Sequence, residues 1–494
     1  MLRVDRRLPI PLHKQVYDGY RTAILQGDLR PGQEIPSSRA CATDLRISRF
    51  PVLHAYAQLI AEGYFESRVG SGTFIAHNLP EQLIAPTRSA GSSEKTLSGT
   101  RRVAKRNALY RTYSSETHNL GWGSFGVHQP ALDEFPFPIW SSLIARHSRN
   151  PRASVLYSAG PLGSERFREQ ICFYLRTARA VKCDPDQIMV VSGSQQALDI
   201  TTRVLLDPGD SVLIEEPGYS LERTVLTAAG CRLIPVPVDQ EGMEVTQAIR
   251  RYPAARAAFV TPSHQFPMGS TMSASRRLLL LNWAQRSGGW IVEDDYDSEY
   301  RFDAQPIASL QGLDANSRVI YIGTFSKVLL PSLRVGYIVI PRDLVERFLS
   351  VRFAMDIFPA YLFQEVLADF MGLGHFGRHI RKMRQIYSSR RMALIESIQK
   401  VFGDRLEIHG AAAGMHVTVT LPSGLDDGEI AACAARERLW LWPLSPCYLG
   451  KQRKQGFVLG YGSTPEGQIH AAVKRFHSIV MALRRDGAKF VDAL

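Results

Sequence analysis

Val319-Ile320-Tyr321-Ile322-Gly323-Thr324-Phe325-Ser326-Lys327 is a β-branched, strand-forming run that breaks at a glycine and reaches a lysine four residues later. A lysine on the loop at the carboxyl end of a strand stands where open α/β sheets bind their ligands. Outward from this stretch, similar short runs alternate with helical patterns: Ile188 to Val191, Val212 to Glu215, Ala257 to Thr261, Trp290 to Glu293 and Val335 to Ile340. The alternation predicts an α/β domain over residues 116–494, built around a mainly parallel sheet. No internal repeat is evident.

The loops after these strands carry chemistry. Glu293-Asp294-Asp295-Tyr296-Asp297 ends one strand, Glu216-Pro217-Gly218-Tyr219 another, and Ser192-Gly193-Ser194-Gln195 opens a helix after a third. A lysine, a buried acid, an aromatic ring and a helix N-terminus are what a pyridoxal 5'-phosphate (PLP) site requires. Lys327 would hold the cofactor covalently. A carboxylate against the ring nitrogen keeps that nitrogen protonated; Asp294 and Asp295 are both placed for it. Backbone N–H groups of Ser194 and Gln195 would cradle phosphate at the helix N-terminus, with a hydroxyl from Thr324 or Ser326 and a fixed positive charge from Arg334. Tyr219 is the candidate to stack on the ring.

Residues 1–78 read differently. A helix starting after Pro11 would bury Val16, Tyr20, Ile24 and Leu25 on one face, ending near Gly27. Ser37 or Ser38 caps a second helix and Ser48 a third, with only Arg46 and Ile47 separating the second from the third cap, which makes a helix-turn-helix. Tyr64 to Arg68, the turn Val69-Gly70-Ser71-Gly72 and Thr73-Phe74-Ile75 read as a hairpin with a basic tip. In such a winged helix the third helix enters the major groove with its first residues leading. The DNA-contacting set is then Ser38 and Arg39 on the second helix, Ser48 and Arg49 on the third, and Arg68, Gly70 and Ser71 on the wing. Residues 79–115, rich in Ser, Thr, Gly, Pro and Arg, read as a linker.

Composition agrees with two working parts. The net charge is +12, and residues 1–78 carry ten Lys or Arg against seven Asp or Glu, residues 79–115 seven against two. Two-thirds of the excess thus lies in the first quarter, where contact with the phosphate backbone would need it. The six cysteines are scattered without a C-x-x-C pair, so neither a disulfide framework nor a metal site is indicated. No apolar run approaches the length of about 20 residues that spans a bilayer, and the chain is expected to be cytoplasmic.

The segments Pro11 to Val16, Leu29-Arg30-Pro31-Gly32, Pro36-Ser37-Ser38-Arg39, Ala61-Glu62-Gly63-Tyr64 and Gly70 to Phe74 resemble the winged helix of GntR-family regulators. Phe50-Pro51 departs from that pattern, where the family commonly has a polar residue followed by Thr. Pro262-Ser263-His264-Gln265-Phe266-Pro267, Glu293 to Glu299 and Gly323 to Lys327 look like the MocR subgroup of that family. The resemblance covers essentially the whole chain. It implies an N-terminal winged helix (α+β) joined by a linker to an α/β fold-type I PLP-dependent aminotransferase-like domain. It also assigns the ring nitrogen to Asp294, gives Tyr296 the phenolic oxygen, and sets His264 or Gln265 where these aminotransferases place an asparagine. A head-to-tail homodimer that binds a double-stranded DNA operator, with PLP or a PLP-amino acid adduct as effector, follows from the same likeness. The competing reading is an active aminotransferase with a DNA-binding appendage, in which Lys327 would be catalytic. Against turnover, Ser463 stands where amino-acid-sensing relatives can have an arginine for the α-carboxylate, although Arg453 or Arg436 lies near in sequence.

Overall fold

The computed structural model describes residues 4–68, 71–79, 104–110, 123–149, 160–302, 307–450 and 453–491. Helix α1 (Leu12–Leu25) is followed by the short strand β1 (Glu34–Ile35), helices α2 (Ser38–Asp44) and α3 (Arg49–Ala61), and the hairpin β2 (Phe65–Arg68) and β3 (Gly72–Ile75). The three strands form one antiparallel sheet in the order β1-β3-β2. Val16, Tyr17, Tyr20 and Ile24 are the buried face of α1. Leu25, expected with them, is 46% exposed; a step of about 100° per residue past Ile24 turns it out of that arc. Tyr20, Tyr56 and Phe65 pack edge to face with centroids 5.3 to 5.5 Å apart, and the Tyr56 hydroxyl donates to the Pro36 carbonyl. Ring packing of this geometry adds to the area each ring buries, and it locks α1, α3 and the hairpin together.

The two caps behave differently. Ser37 accepts a hydrogen bond from the Ala40 N–H and starts α2. Ser48 holds the N-cap position of α3 without a side-chain bond, because the third helical residue is Pro51, whose nitrogen has no hydrogen to offer.

The second compact unit holds an eight-stranded sheet in the order β4-β11-β10-β9-β8-β5-β6-β7. Its strands are β4 (Ile188–Val191), β5 (Ser211–Glu216), β6 (Arg232–Asp239), β7 (Gly242–Met243), β8 (Ala257–Val260), β9 (Trp290–Asp295), β10 (Val319–Thr324) and β11 (Gly336–Val339). Pairing is parallel from β10 through β6, while β11 runs antiparallel to both β10 and β4. Alternate residues of each strand serve opposite faces. In β4, Ile188 and Val190 join the cluster with Phe167 and Ile171 of α4 (Glu165–Arg179), whereas Met189 and Val191 join Ala197 and Ile200 of α5 (Ser194–Leu205). A sheet covered on both faces by helices needs continuous apolar strands, which is the pattern of these runs.

A smaller antiparallel sheet follows: β12 (Glu407–His409), β13 (His416–Thr420), β14 (Trp442–Pro443) and β15 (Gly456–Gly460), in the order β12-β13-β15-β14. Within the stretch read as linker, Lys105–Leu109 forms a 3-10 turn that packs on helix α6 (Ser220–Ala228). The remainder of that stretch lies outside the described residues, apart from its two margins: Leu79, which is buried with the winged-helix core, and Ala104 and Tyr110, which flank the turn. Among the described residues no helix is long and apolar enough to cross a membrane.

Candidate functional site

Strand register gathers the candidate residues at one edge of the large sheet. Ile322 lies opposite Asp294 and Gly323 opposite Asp295; Thr324 lies opposite Gly336, which in turn lies opposite Val191. The loops carrying Lys327, Asp294 to Asp297, and Gly193 to Gln195 therefore leave neighbouring strands at the same end. Those carrying Tyr219 and His264 leave β5 and β8 at that end too.

The carboxylates on β9 separate cleanly. Asp295 Oδ2 accepts from Arg179 Nε at 2.9 Å and the Tyr321 hydroxyl at 2.6 Å, and Arg179 Nη2, ion-paired with it at 2.7 Å, donates to Ser263 Oγ. Asp295 is thereby removed as a ring-nitrogen partner. Asp294, one residue back and facing the other side, is buried, and its Oδ1 has no hydrogen-bond partner. Burial, reinforced by Asp295, pushes its carboxyl up to about 7. An orphaned buried acid is costly unless a donor meets it, and a ring N–H is such a donor. Lys327 is half-buried; burial pulls its amine down to about 8, against the opposing pull of Asp294.

The phosphate end has matching features. Gly193, with φ +89° and ψ 174°, caps α5, a backbone conformation open essentially to glycine alone. Arg334 Nη2 donates to the Ser192 carbonyl at 3.0 Å, beside Gly193 and the first turn of α5, where Ser194 and Gln195 sit. Thr324 Oγ1 accepts from the Ser326 N–H at 3.2 Å, and the buried Ser326 Oγ has no partner. Of the two hydroxyls, Ser326 is the one left available.

Around the ring position, Tyr219 lies edge-on to Phe266 at 5.7 Å, and its hydroxyl is pushed up by burial and by Asp294. Gln265 donates to Pro217 and Phe266 carbonyls and accepts from the Met268 N–H, so its amide is committed to the loops. His264 remains. Its Nδ1 lies 3.0 Å from Asp297 Oδ1, and its Nε2 is buried without a partner. The Tyr296 hydroxyl donates to the His264 carbonyl at 2.8 Å; reaching a phenolic oxygen requires exchange of that bond. Ser463 follows β15 and donates to the Gly123 carbonyl at 3.2 Å.

Three residues were not legible as site members. His128, at φ +64°, sets its ring 5.2 Å from Phe266 and 5.7 Å from Tyr296. His416, whose Nε2 lies 3.2 Å from the Pro267 carbonyl, brings a donor atom within 4.8 Å of donors on His264 and Asp297. The third, Asp297, was within a quoted motif, and its role became visible only through its bonds to His264 and the Met415 N–H.

Of the DNA-contacting set, Arg39, Ser48, Arg49, Arg68 and Ser71 are exposed and Ser38 is half-buried. Arg49 Nε donates to Ser38 Oγ at 3.1 Å, and the Arg68 guanidinium lies over the Phe74 ring at 4.8 Å. Gly70 lies outside the described residues.

Residues 147–457 match the family of class I and II aminotransferases, and residues 12–75 that of the bacterial regulatory proteins, gntR family. The full chain is 37% identical to the probable rhizopine catabolism regulatory protein MocR of Rhizobium meliloti, covering 98% of that protein. This chain is a MocR-type GntR regulator. It is also 29% identical to the pyridoxine biosynthesis transcriptional regulator PdxR of Corynebacterium glutamicum, over 93% of this chain and 94% of that one. The kynurenine aminotransferase of Pyrococcus horikoshii, solved in complex with PMP, is 26% identical with a TM-score of 0.71, over 77% of this chain and 97% of that one. PLP is accordingly the cofactor of this MocR-type protein, and the orphaned Asp294 and Ser326 oxygens and the Gly193 cradle fit it. The protein is a DNA-binding transcriptional regulator with an aminotransferase-like domain.

Proposed function

We propose that the occupancy of the Lys327 site sets the affinity of the winged helices for their operator. The observation that carries this reading is the buried, unpartnered Asp294 carboxylate across from Lys327 in a chain that also carries a DNA-reading helix. When bound, PLP supplies an electron-withdrawing ring and an aldehyde. Lys327 would bind that aldehyde, Asp294 would hold a proton at the ring nitrogen, and Tyr219, with Phe266 edge-on to it, would shield the ring from water. Ser326, Arg334 and the first turn of α5 would hold the phosphate. His264, oriented by Asp297, stands at the phenolic side with Tyr296.

The working unit in this reading is a cytoplasmic head-to-tail homodimer, with a DNA-binding part at 1–78, a linker at 79–115 and an effector part at 116–494. PLP itself, or its adduct with an amino acid, is the signal. Ser463 favours sensing over turnover, because an α-carboxylate gains most from a bidentate arginine. The likeness to a regulator of pyridoxine biosynthesis supports PLP or vitamin B6 supply as the regulated chemistry.

The test compares wild type and Lys327→Ala by visible absorbance with added PLP, and by operator binding with and without PLP and a panel of amino acids. Wild type should gain a visible band that the variant lacks, and its operator affinity should change on PLP loading. Because a ligand shifts an equilibrium only by its differential affinity for the two states, equal operator affinity for apo and loaded dimer would overturn the reading. Steady keto-acid release would make the protein an enzyme instead.

A further inference from the structure

The helix that enters DNA is apolar at its front. The exposed residues of α3 are Arg49, Phe50, Leu53, His54, Ala57, Ile60 and Ala61. At 3.6 residues per turn, Phe50, Leu53 and Ala57 form the middle of that face. Phe50 is 77% exposed and Leu53 43%. Single exposed apolar residues need no explanation, but adjoining ones on the reading face of a DNA-binding helix do.

The polar residues on either side already have partners within the domain. Arg49 Nε donates to Ser38 Oγ, and the His54 ring lies 4.6 Å from the His13 ring. Neither Phe50 nor Leu53 can hydrogen-bond a base edge. In the major groove the single apolar feature of a base pair is the thymine C5-methyl group. Arg39, Arg46, Arg49 and Arg68 of the same domain are exposed, a supply of positive charge that suits contact with phosphate backbones.

We infer that Phe50, with Leu53 behind it, reads thymine methyl groups in each operator half-site, so that methyl contact rather than hydrogen bonding decides base preference there. The departure from the polar residue common at this position becomes a change in the mode of reading. Pro51 is compatible with it: in the first turn of α3 its missing N–H breaks no intrahelical bond.

This rests on α3 being the element that reads DNA, and the experiment separates the two. Full-length PLP-loaded protein first selects duplexes from a random pool. Thymine should be enriched at the positions the front of α3 meets in both half-sites. Those thymines are then replaced by deoxyuridine, which keeps every hydrogen-bonding group and lacks the methyl. Wild type should bind about fourfold more weakly per methyl removed, the value of one buried methylene-sized group. Phe50→Leu should keep most of this discrimination and Phe50→Ala should lose it, with thermal melting unchanged because the side chain is exposed. Equal wild-type affinity for thymine and uracil operators overturns the inference, as does selection of sites without thymine at these positions, or full discrimination by Phe50→Ala. Should Phe50→Ala fail to fold, the wild-type comparison decides alone. A protein that selects no duplex at all would instead count against α3 as the reading element.

Discussion

In the proposed site Lys327 would capture the cofactor through its neutral amine, and burial lowers that amine from the ordinary 10.5 to about 8. At pH 7.5 about a quarter of such amines are neutral, against roughly one in a thousand for an ordinary lysine. Capture at physiological pH should then run about 200-fold faster than at a solvent lysine of equal nucleophilicity. The assay mixes apo protein with PLP in a stopped-flow instrument and follows the visible band across pH. The rate should climb about tenfold per pH unit below 8 and flatten above it. Asp294 opposes the effect of burial, since its negative charge favours the ammonium form. Asp294→Asn should therefore move the break in the profile to lower pH, whatever it does to the final affinity. A wild-type rate still climbing tenfold per unit at pH 10, or an upward shift in Asp294→Asn, would refute the assignment of Lys327 to a buried site facing Asp294.

Removing the buried cation in Arg179→Met leaves Asp295 unpaired and should cost about 3–5 kcal/mol, read as a lower urea midpoint with unchanged slope, while Lys327→Ala should leave that midpoint nearly in place. Gly193→Ala forces a side chain into a backbone conformation at φ +89° and brings a Cβ to 3.0 Å from Arg334 Nη2. A strain of about 1–3 kcal/mol should weaken PLP binding about tenfold or more, by band titration, and spare the binding of unphosphorylated pyridoxal. The Asp294 carboxyl, raised in the folded apo protein to about 7 from 3.8, stabilises the fold fully below pH 3.8 and loses that contribution as pH rises through 7. Apo wild type should hence be less stable at pH 8 than at pH 5, by about 2–3 kcal/mol from this group, and Asp294→Asn should flatten the slope in denaturant melts.

Much of this was legible because strand ends and loop chemistry are local. The run before Lys327 and the run before Asp294 each announced a buried strand, and the loops that follow parallel strands have one end of the sheet to go to. Strand β6 was missed for an equally local reason: Pro235 and Pro237 interrupt the pattern. They are tolerated because the strand pairs with β5 along its length, whereas its other neighbour, β7, meets only Val238 and Asp239, leaving that side without a ladder to break. Side-chain commitment, in contrast, is not local. Gln265 and His264 were equal candidates by sequence, and only the carbonyls of Pro217 and Phe266 remove the first from contention. His128 and His416 gave no signal, since each lies more than 100 residues from the loop it packs against.

The acids of β9 show how a strand assigns roles to neighbours of the same type. Glu293 and Asp295 share a face: Glu293 accepts the Leu310 and Gln311 N–H groups at the start of a helical turn, and Asp295 accepts Arg179 and Tyr321. Each carboxylate is buried, and each is matched by donors of the same domain, so both are fixed whether or not a ligand is present. Asp294 points the other way because successive side chains on a strand alternate. It alone is left with an unmatched oxygen, and Asp295 behind it raises the cost of ionising it. Arg179 is committed to Asp295 and Ser263, so the cation that acts on Asp294 is Lys327. A bound ring that brings its own N–H is then the partner that relieves the mismatch, and a site whose unliganded state is costly gains correspondingly from being filled. Under the proposed function, relief of that mismatch on binding is free energy with which a ligand would bias the protein between two states, at an oxygen that the alternation of a single strand has set apart.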